Sequence, residues 1–215
     1  MDGMTPLHYA SDQGQFEICE FIVDYVDDKN PTVGNGNGWT PLHHAAYRGH
    51  LAIYKLISQH VPDKNPKRIK YGMTPLHQAA IDGQFEIVRF IVYNVNEINP
   101  SDDSGWTPLH AAAMHGYFDI YKFLLERVKD KNPGDNTGKT PLHEVVIRGQ
   151  IEIFKIAYKL GLNQNPGNAA KGFGETFLDL AAQNNQVEIF RLIIENENLE
   201  KDIKDIKDVQ FFANL

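Results

Sequence analysis

The chain has 215 residues, enough for one large domain or one array of repeats, and its 42% hydrophobic and 23% charged content is that of an ordinary folded protein. Its formal net charge of −7 argues against nucleic acid or an anionic membrane as partner, because phosphate recognition needs a concentrated positive field. No apolar run approaches the roughly 18 residues of a bilayer span, Met1 to Thr5 carry neither a basic n-region nor an apolar h-region, and the single cysteine, Cys19, excludes an internal disulfide framework. These features together fit a cytoplasmic setting.

Along the chain the tetrapeptide Thr-Pro-Leu-His begins at Thr5, Thr40, Thr74, Thr107 and Thr140, and a degraded copy, Thr-Phe-Leu-Asp, begins at Thr176. The steps between them are 35, 34, 33, 33 and 36 residues. Nine residues after each Thr stand Gly14, Gly49, Gly83, Gly116 and Gly149, then Asn185. Twenty-five residues after the first five stand Asn30, Asn65, Asn99, Asn132 and Asn165, each followed by Pro. The units fall at about 3–32, 33–66, 67–99, 100–132, 133–166 and 167–198, one repeat domain over 1–198 with a tail over 199–215. The first motif starts with no loop before it, so the sequence reads as a segment of something longer.

Each unit predicts two helices. Thr caps the first, and Pro takes its first position, where a missing N–H costs nothing. Leu and a small pair such as Ala79-Ala80 follow, and Gly ends the helix by adopting positive φ. A second helix is apolar on one side, as with Phe85, Ile87, Val88 and Ile91. The Asn-Pro pair then breaks it, because the residue before Pro avoids the helical region. A unit of this size cannot bury its apolar face alone and must stack on neighbours. In the tail, Ile203, Ile206, Val209 and Phe212 suggest a short capping helix, with a charged, frayed segment as the alternative.

The Thr-Pro-Leu-His phrase, the Gly nine positions later and the near-33 period resemble the ankyrin repeat over about residues 3 to 198. The resemblance implies an all-α fold, a solenoid of about six helix–loop–helix units with hairpin-like loops between them. It also implies that His8, His43, His77, His110 and His143 hydrogen-bond within and between loops rather than holding a metal. His44, His50, His60 and His115 lack zinc-ligand spacing, and no cofactor is expected. Cys19 occupies the position of Tyr54, Val88, Tyr121, Phe154 and Phe190, so it reads as packing rather than as a nucleophile, and no enzyme activity is expected. An asparagine hydroxylase acts on the Asn that closes ankyrin repeats. Asn99, with Ile91, Glu97 and Ile98 before it, comes nearest to that enzyme's preference, against a purely loop-stabilising role.

In ankyrin proteins the partner meets the loop tips and the first helices. The residue before the Thr is Met4, Trp39, Met73, Trp106, Lys139 and Glu175 in turn. The seventh residue after it is Asp12, Tyr47, Ile81, Met114, Ile147 and Gln183, and the eighth is Gln13, Arg48, Asp82, His115, Arg148 and Asn184. The expected binding strip is Met4, Asp12, Trp39, Tyr47, Arg48, Met73, Ile81, Asp82, Trp106, Met114, His115, Ile147 and Arg148. The expected partner is another protein or a peptide, with no nucleic acid and no membrane, bound by a monomer. A mechanical spacer, or a domain that recruits substrate for an enzyme elsewhere in a larger protein, is the alternative. Lys64, Lys67, Arg68 and Lys70 are read as a solvated loop, with a docking site as the lesser reading.

Overall fold

The computed structural model describes residues 3–33, 37–162 and 176–197, with the side chains of Asn196 and Glu197 excepted. The tail over 199–215 and Asn165 lie outside the described residues, so the capping-helix reading falls there too. The described residues form twelve helices and no strand. They are α1 Pro6–Gln13, α2 Phe16–Tyr25, α3 Pro41–Arg48, α4 Leu51–Gln59, α5 Pro75–Ile81, α6 Phe85–Val92, α7 Pro108–His115, α8 Phe118–Leu125, α9 Pro141–Arg148, α10 Ile151–Lys159, α11 Phe177–Gln183 and α12 Val187–Glu197.

Every odd-numbered helix begins on the residue after its motif Thr, with that Thr in extended conformation as the N-cap. The motif His sits at the third helical position and closes a capping box, taking the place usually held by Glu or Gln. Its Nδ1 accepts the Thr backbone N–H, at 3.1 Å from Thr74 to His77. In the sixth unit Asp179 does the same work, accepting from Thr176 N–H at 2.9 Å, so the degraded motif keeps its cap. The first helices of units one, two, four and five end on Gly14, Gly49, Gly116 and Gly149 in the left-handed region. Asn185 adopts φ 55° where the other units have Gly.

The odd-numbered helices stack on one another as an inner layer and the even-numbered helices stack as an outer layer. Leu7, Leu42, Leu76, Leu109 and Leu142 recur between the layers, almost wholly buried. Each contributes about 1.5–3 kcal/mol by leaving water. Ala45-Ala46, Ala79-Ala80 and Ala112-Ala113 are fully buried, which lets adjacent inner helices approach closely.

Glycine is demanded twice over at these turns. A Cβ on Gly49 would stand 2.4 Å from Gln84 Oε1 of the next unit, and one on Gly83 would stand 2.8 Å from the Tyr117 ring. The residue after each Gly thus lies across the previous unit's Gly and holds that unit's last inner turn. Gln84 donates to Tyr47 O at 3.4 Å, and Gln186 donates to Ile147 O at 3.1 Å.

Candidate functional site

Between the layers of one unit and the inner helix of the next runs a loop that projects as a finger. The closing bonds are Val33 N–H to Trp39 O, Arg68 N–H to Met73 O, Asp102 N–H to Trp106 O and Asp135 N–H to Lys139 O, at 2.7–2.9 Å. Asp102 and Asp135 each accept three bonds at the tip, the Asp102 set coming from Ser104 N–H, Ser104 Oγ and Trp106 N–H. Adjacent fingers are tied to each other by Asp103 N–H to Tyr71 O at 3.0 Å and Asn136 N–H to Ser104 O at 2.9 Å.

The motif histidines fix the spacing of these fingers. With Nδ1 accepting at the cap, Nε2 carries the proton and donates to the carbonyl just before the next motif Thr. His8 reaches Trp39 O at 3.2 Å, His43 reaches Met73 O at 3.1 Å, His77 reaches Trp106 O at 3.1 Å and His110 reaches Lys139 O at 3.1 Å. Burial pushes all four below the usual histidine range, His43 to about 3 and His77 to about 4, so they stay neutral. Three of the four carbonyls they grip, those of Trp39, Met73 and Trp106, belong to residues of the binding strip read from the sequence. The row is therefore carried on backbone held by the preceding unit.

At the N-terminal end, the inner helices and fingers enclose a groove of about 430 Å³ lined by Met4, Asp12, Val33, Asn37, Trp39, His44, Tyr47 and Gln78. Its wall is aromatic: Trp39 meets Tyr47 edge-on with ring centres 5.8 Å apart and meets His44 at 4.9 Å. Its floor is polar. Arg48 donates to both Asp12 oxygens, at 2.9 and 3.3 Å, while its guanidinium lies 4.6 Å from the Tyr47 ring centre. Burial alone would raise the Asp12 carboxyl, but bonds from Arg48 and His44 outweigh it and hold the group below the usual carboxylate range. Burial lowers His44 despite its contact with Asp12 at 3.4 Å. With Nδ1–H facing Asp12, His44 Nε2 is left as a buried acceptor with no partner among the described residues. Arg68 caps the wall from the second finger, 5.8 Å from the Trp39 ring centre and 5.2 Å from that of Tyr71.

The groove thus gathers Met4, Asp12, Trp39 and Tyr47 of the strip, together with His44 and Gln78, which the sequence reading passed over. The signal was available. The fourth residue after each motif Thr is Tyr9, His44, Gln78, Ala111, Glu144 and Leu180, as variable as the positions that were chosen.

The other strip residues divide. Trp106 is half-buried and stacks on His110 at 5.7 Å, and Met73 and Met114 are half-buried. Ile81 and Ile147 are half-buried against the core, so they offer less surface than the row implied. Asp82 accepts from Gln78 at 2.6 Å, and His115 stacks on Tyr117 at 5.9 Å. Arg48 is already bridged to Asp12, whereas Arg148 is exposed. In the cationic finger, Arg68 is half-buried and Lys67 donates to Ser101 O at 2.7 Å, so two of its four charges are built into the fold. Asn99 is half-buried and its side-chain oxygen accepts Leu109 N–H at 3.2 Å. Cys19 is buried 3.8 Å from Ser11 Oγ, and burial pushes its thiol up, away from the reactive thiolate. Among the described residues no three His, Cys, Asp or Glu side chains gather as metal ligands, and no helix is long and apolar enough to cross a membrane.

A family model described as ankyrin repeats, three copies, matches residues 1–68, 56–135 and 127–205. No curated protein matches the chain.

Proposed function

Since the chain belongs to the ankyrin-repeat family, whose members are in general protein-binding modules, we propose that it holds a segment of another protein along its inner helices and fingers. The observation that carries this reading is the groove. Half-buried Trp39 and Tyr47 stand at right angles over a polar floor, which suits an apolar side chain with a hydrogen-bonding backbone on either side. Trp and Tyr offer large apolar area with few rotors to freeze, the property of binding anchors. From the groove the partner runs along Met73, Trp106 and Met114 toward the fifth unit. Because Asp12 already neutralises Arg48, a carboxylate on the partner fits the exposed Arg148 instead. A pure spacer has no use for an aromatic groove rimmed by variable residues, which sets the binding reading above the mechanical one. Delivery of a substrate to an enzyme elsewhere in a larger protein is compatible with the same surface.

The test is affinity capture with the wild-type chain, followed by binding titrations of the captured partner against Tyr47→Ala and Trp106→Ala. Each variant is expected to weaken binding about thirtyfold, the loss typical of a dominant anchor, with an unchanged melting temperature. Equal binding by both variants places the site elsewhere, and a large fall in melting temperature makes these residues core.

A further inference from the structure

The second finger departs from the third and fourth at its tip. Its closing bond, Arg68 N–H to Met73 O, encloses four residues, where those of the third and fourth enclose three. The extra length is taken up by two successive left-handed residues, Tyr71 at φ 73° and Gly72 at φ 65°. Asn-Gly or Gly-Gly ordinarily fills such a pair, and a bulky aromatic there is an outlier. Bonds from both neighbouring fingers hold the tip in this conformation. Lys70 N–H donates to Asn37 O of the first finger at 3.4 Å, and Tyr71 O accepts Asp103 N–H of the third at 3.0 Å. A strained residue fixed by its surroundings points to a use for its side chain.

The side chains at the tip differ in kind as well. The third and fourth tips are polar and built on Asp102 and Asp135. The second carries Ile69, 69% exposed, and Tyr71, 54% exposed, among Lys67, Arg68 and Lys70. Among the described residues none of these three cations pairs with a carboxylate. Lys67 bonds only Ser101 O, Arg68 Nη2 bonds the Met73 sulfur at 2.8 Å, and Lys70 lies 4.8 Å from the Tyr71 ring centre. Arg68 Nε is buried with no partner among the described residues. The fold thus positions these charges without neutralising them. Asp102 and Asp103 stand on the adjacent finger, yet Asp102 is engaged by Ser104 and Trp106 of its own tip. A merely solvated loop needs neither the exposed isoleucine nor the left-handed tyrosine.

We propose that the second finger clamps an acidic stretch of the partner's segment, with a large apolar side chain on Ile69 and Tyr71 and carboxylates beside Lys67, Arg68 and Lys70. This rests on the groove reading, because Arg68 joins the tip to the Trp39 wall and the segment that fills the groove passes beside it. The tip is ready for such a ligand, since its backbone is already held by the fingers on either side. A protein segment is favoured over an anionic membrane, because the net charge of −7 repels an extended negative surface, while a short acidic stretch meets the finger alone.

The test selects a display library of random peptides on the whole chain. Selected peptides are expected to carry Asp or Glu next to a large apolar residue. Ile69→Ser should weaken their binding about tenfold, the scale of an apolar anchor. Lys67→Gln with Lys70→Gln should weaken it severalfold and flatten its salt dependence. Tyr71→Gly removes the ring and the strain together, so it should weaken binding while the melting temperature holds or rises. A tyrosine kept only for the fold would lower the melting temperature instead. Circular dichroism melts check each variant, and the lysine pair decides if Ile69→Ser is unfolded. Selected peptides that lose binding with Tyr47→Ala, carry no acid and ignore Ile69→Ser overturn the clamp and leave the groove standing. Acidic peptides that need Ile69 and ignore Tyr47→Ala uphold the clamp and count against the groove. The proposal is overturned if no acidic peptide is selected, or if Ile69→Ser and the lysine pair both bind as the wild type does. It is also overturned if the chain sediments with phosphatidylserine vesicles and Ile69→Ser releases it, or if light scattering shows a dimer that Ile69→Ser dissociates.

Discussion

Lys139 stands where Trp39 and Trp106 stand in their own units, and its charge is turned inward. Its ammonium lies 2.5 Å from the Glu144 carboxylate, which is 3% exposed in the position that Ala111 fills one unit earlier. The aromatic row therefore stops at the fourth unit and an ion pair begins the fifth. The two ion pairs of this face differ in consequence. Arg48 is exposed, so its bridge to Asp12 orients the Tyr47 ring more than it stabilises the fold. Glu144 is enclosed, and removing its partner leaves an uncompensated buried charge. Lys139→Met is expected to destabilise the chain by about 3 kcal/mol in urea titrations, the scale for one half of a buried pair. Adding Glu144→Ala should recover most of that loss. Equal stability of wild type and Lys139→Met would show that water reaches the carboxylate.

At the scale of the element, the inner helices α3, α5, α7 and α9 are each capped twice. The helix's own Thr and His close the first turn, and the Asn that ends the previous unit reaches across. Asn30, Asn65, Asn99 and Asn132 accept the backbone N–H of Leu42, Leu76, Leu109 and Leu142, at 2.9–3.2 Å. Those leucines occupy the second helical position, whose N–H has no partner inside the helix. Asn99→Ala should cost about 1 kcal/mol, the usual loss for a cap, and hydrogen exchange should quicken first at Leu109. Uniform exchange across α7 and its neighbours would contradict the cap. The helices were legible in the sequence because Thr, Pro, Gly and Asn act within a turn of where they stand. The joins were legible only in part: the resemblance implied that the motif histidines bond within and between loops, but not which carbonyl each one reaches. Gln84 across Gly49 and Arg48 to Asp12 link residues about one repeat apart, and their register depends on how the units stack rather than on any local pattern. The groove was half legible for the same reason: Trp39 and Tyr47 lie on obvious variable positions, while His44 and Gln78 enter it only once units one to three are stacked.

For the whole molecule, the same bond is repeated at successive joins, so pH acts on all of them together. His8, His43, His77 and His110 are held neutral in the fold by burial, two of them down to about 3 and about 4. In the unfolded chain each takes up a proton near pH 6.5. Between pH 6.5 and about 4 the unfolded state therefore binds more protons, and stability falls as the pH falls. By pH 5 each of His43 and His77 should have withdrawn roughly 2 kcal/mol. The carboxylates act lower. Asp12 and Asp135, held below their ordinary value, lose their contribution only as the pH drops below 3.8, while Asp82, raised by burial, has the opposite sign. Melting temperature is thus expected to fall steadily from pH 7 to pH 4.5, with unfolding near pH 5 taking up close to one proton for each of His43 and His77. The protonated form also has no acceptor at Nδ1 for the cap, so acid should loosen the chain at the joins. Because contacts run mainly between adjacent units, exchange protection should be lost unit by unit rather than at once. Replacing His77 by Gln should reduce the proton uptake by about one while lowering stability at pH 7. A melting temperature that stays flat between pH 7 and pH 5 would mean that water reaches these rings and that the neutral histidine ladder does not hold the units together.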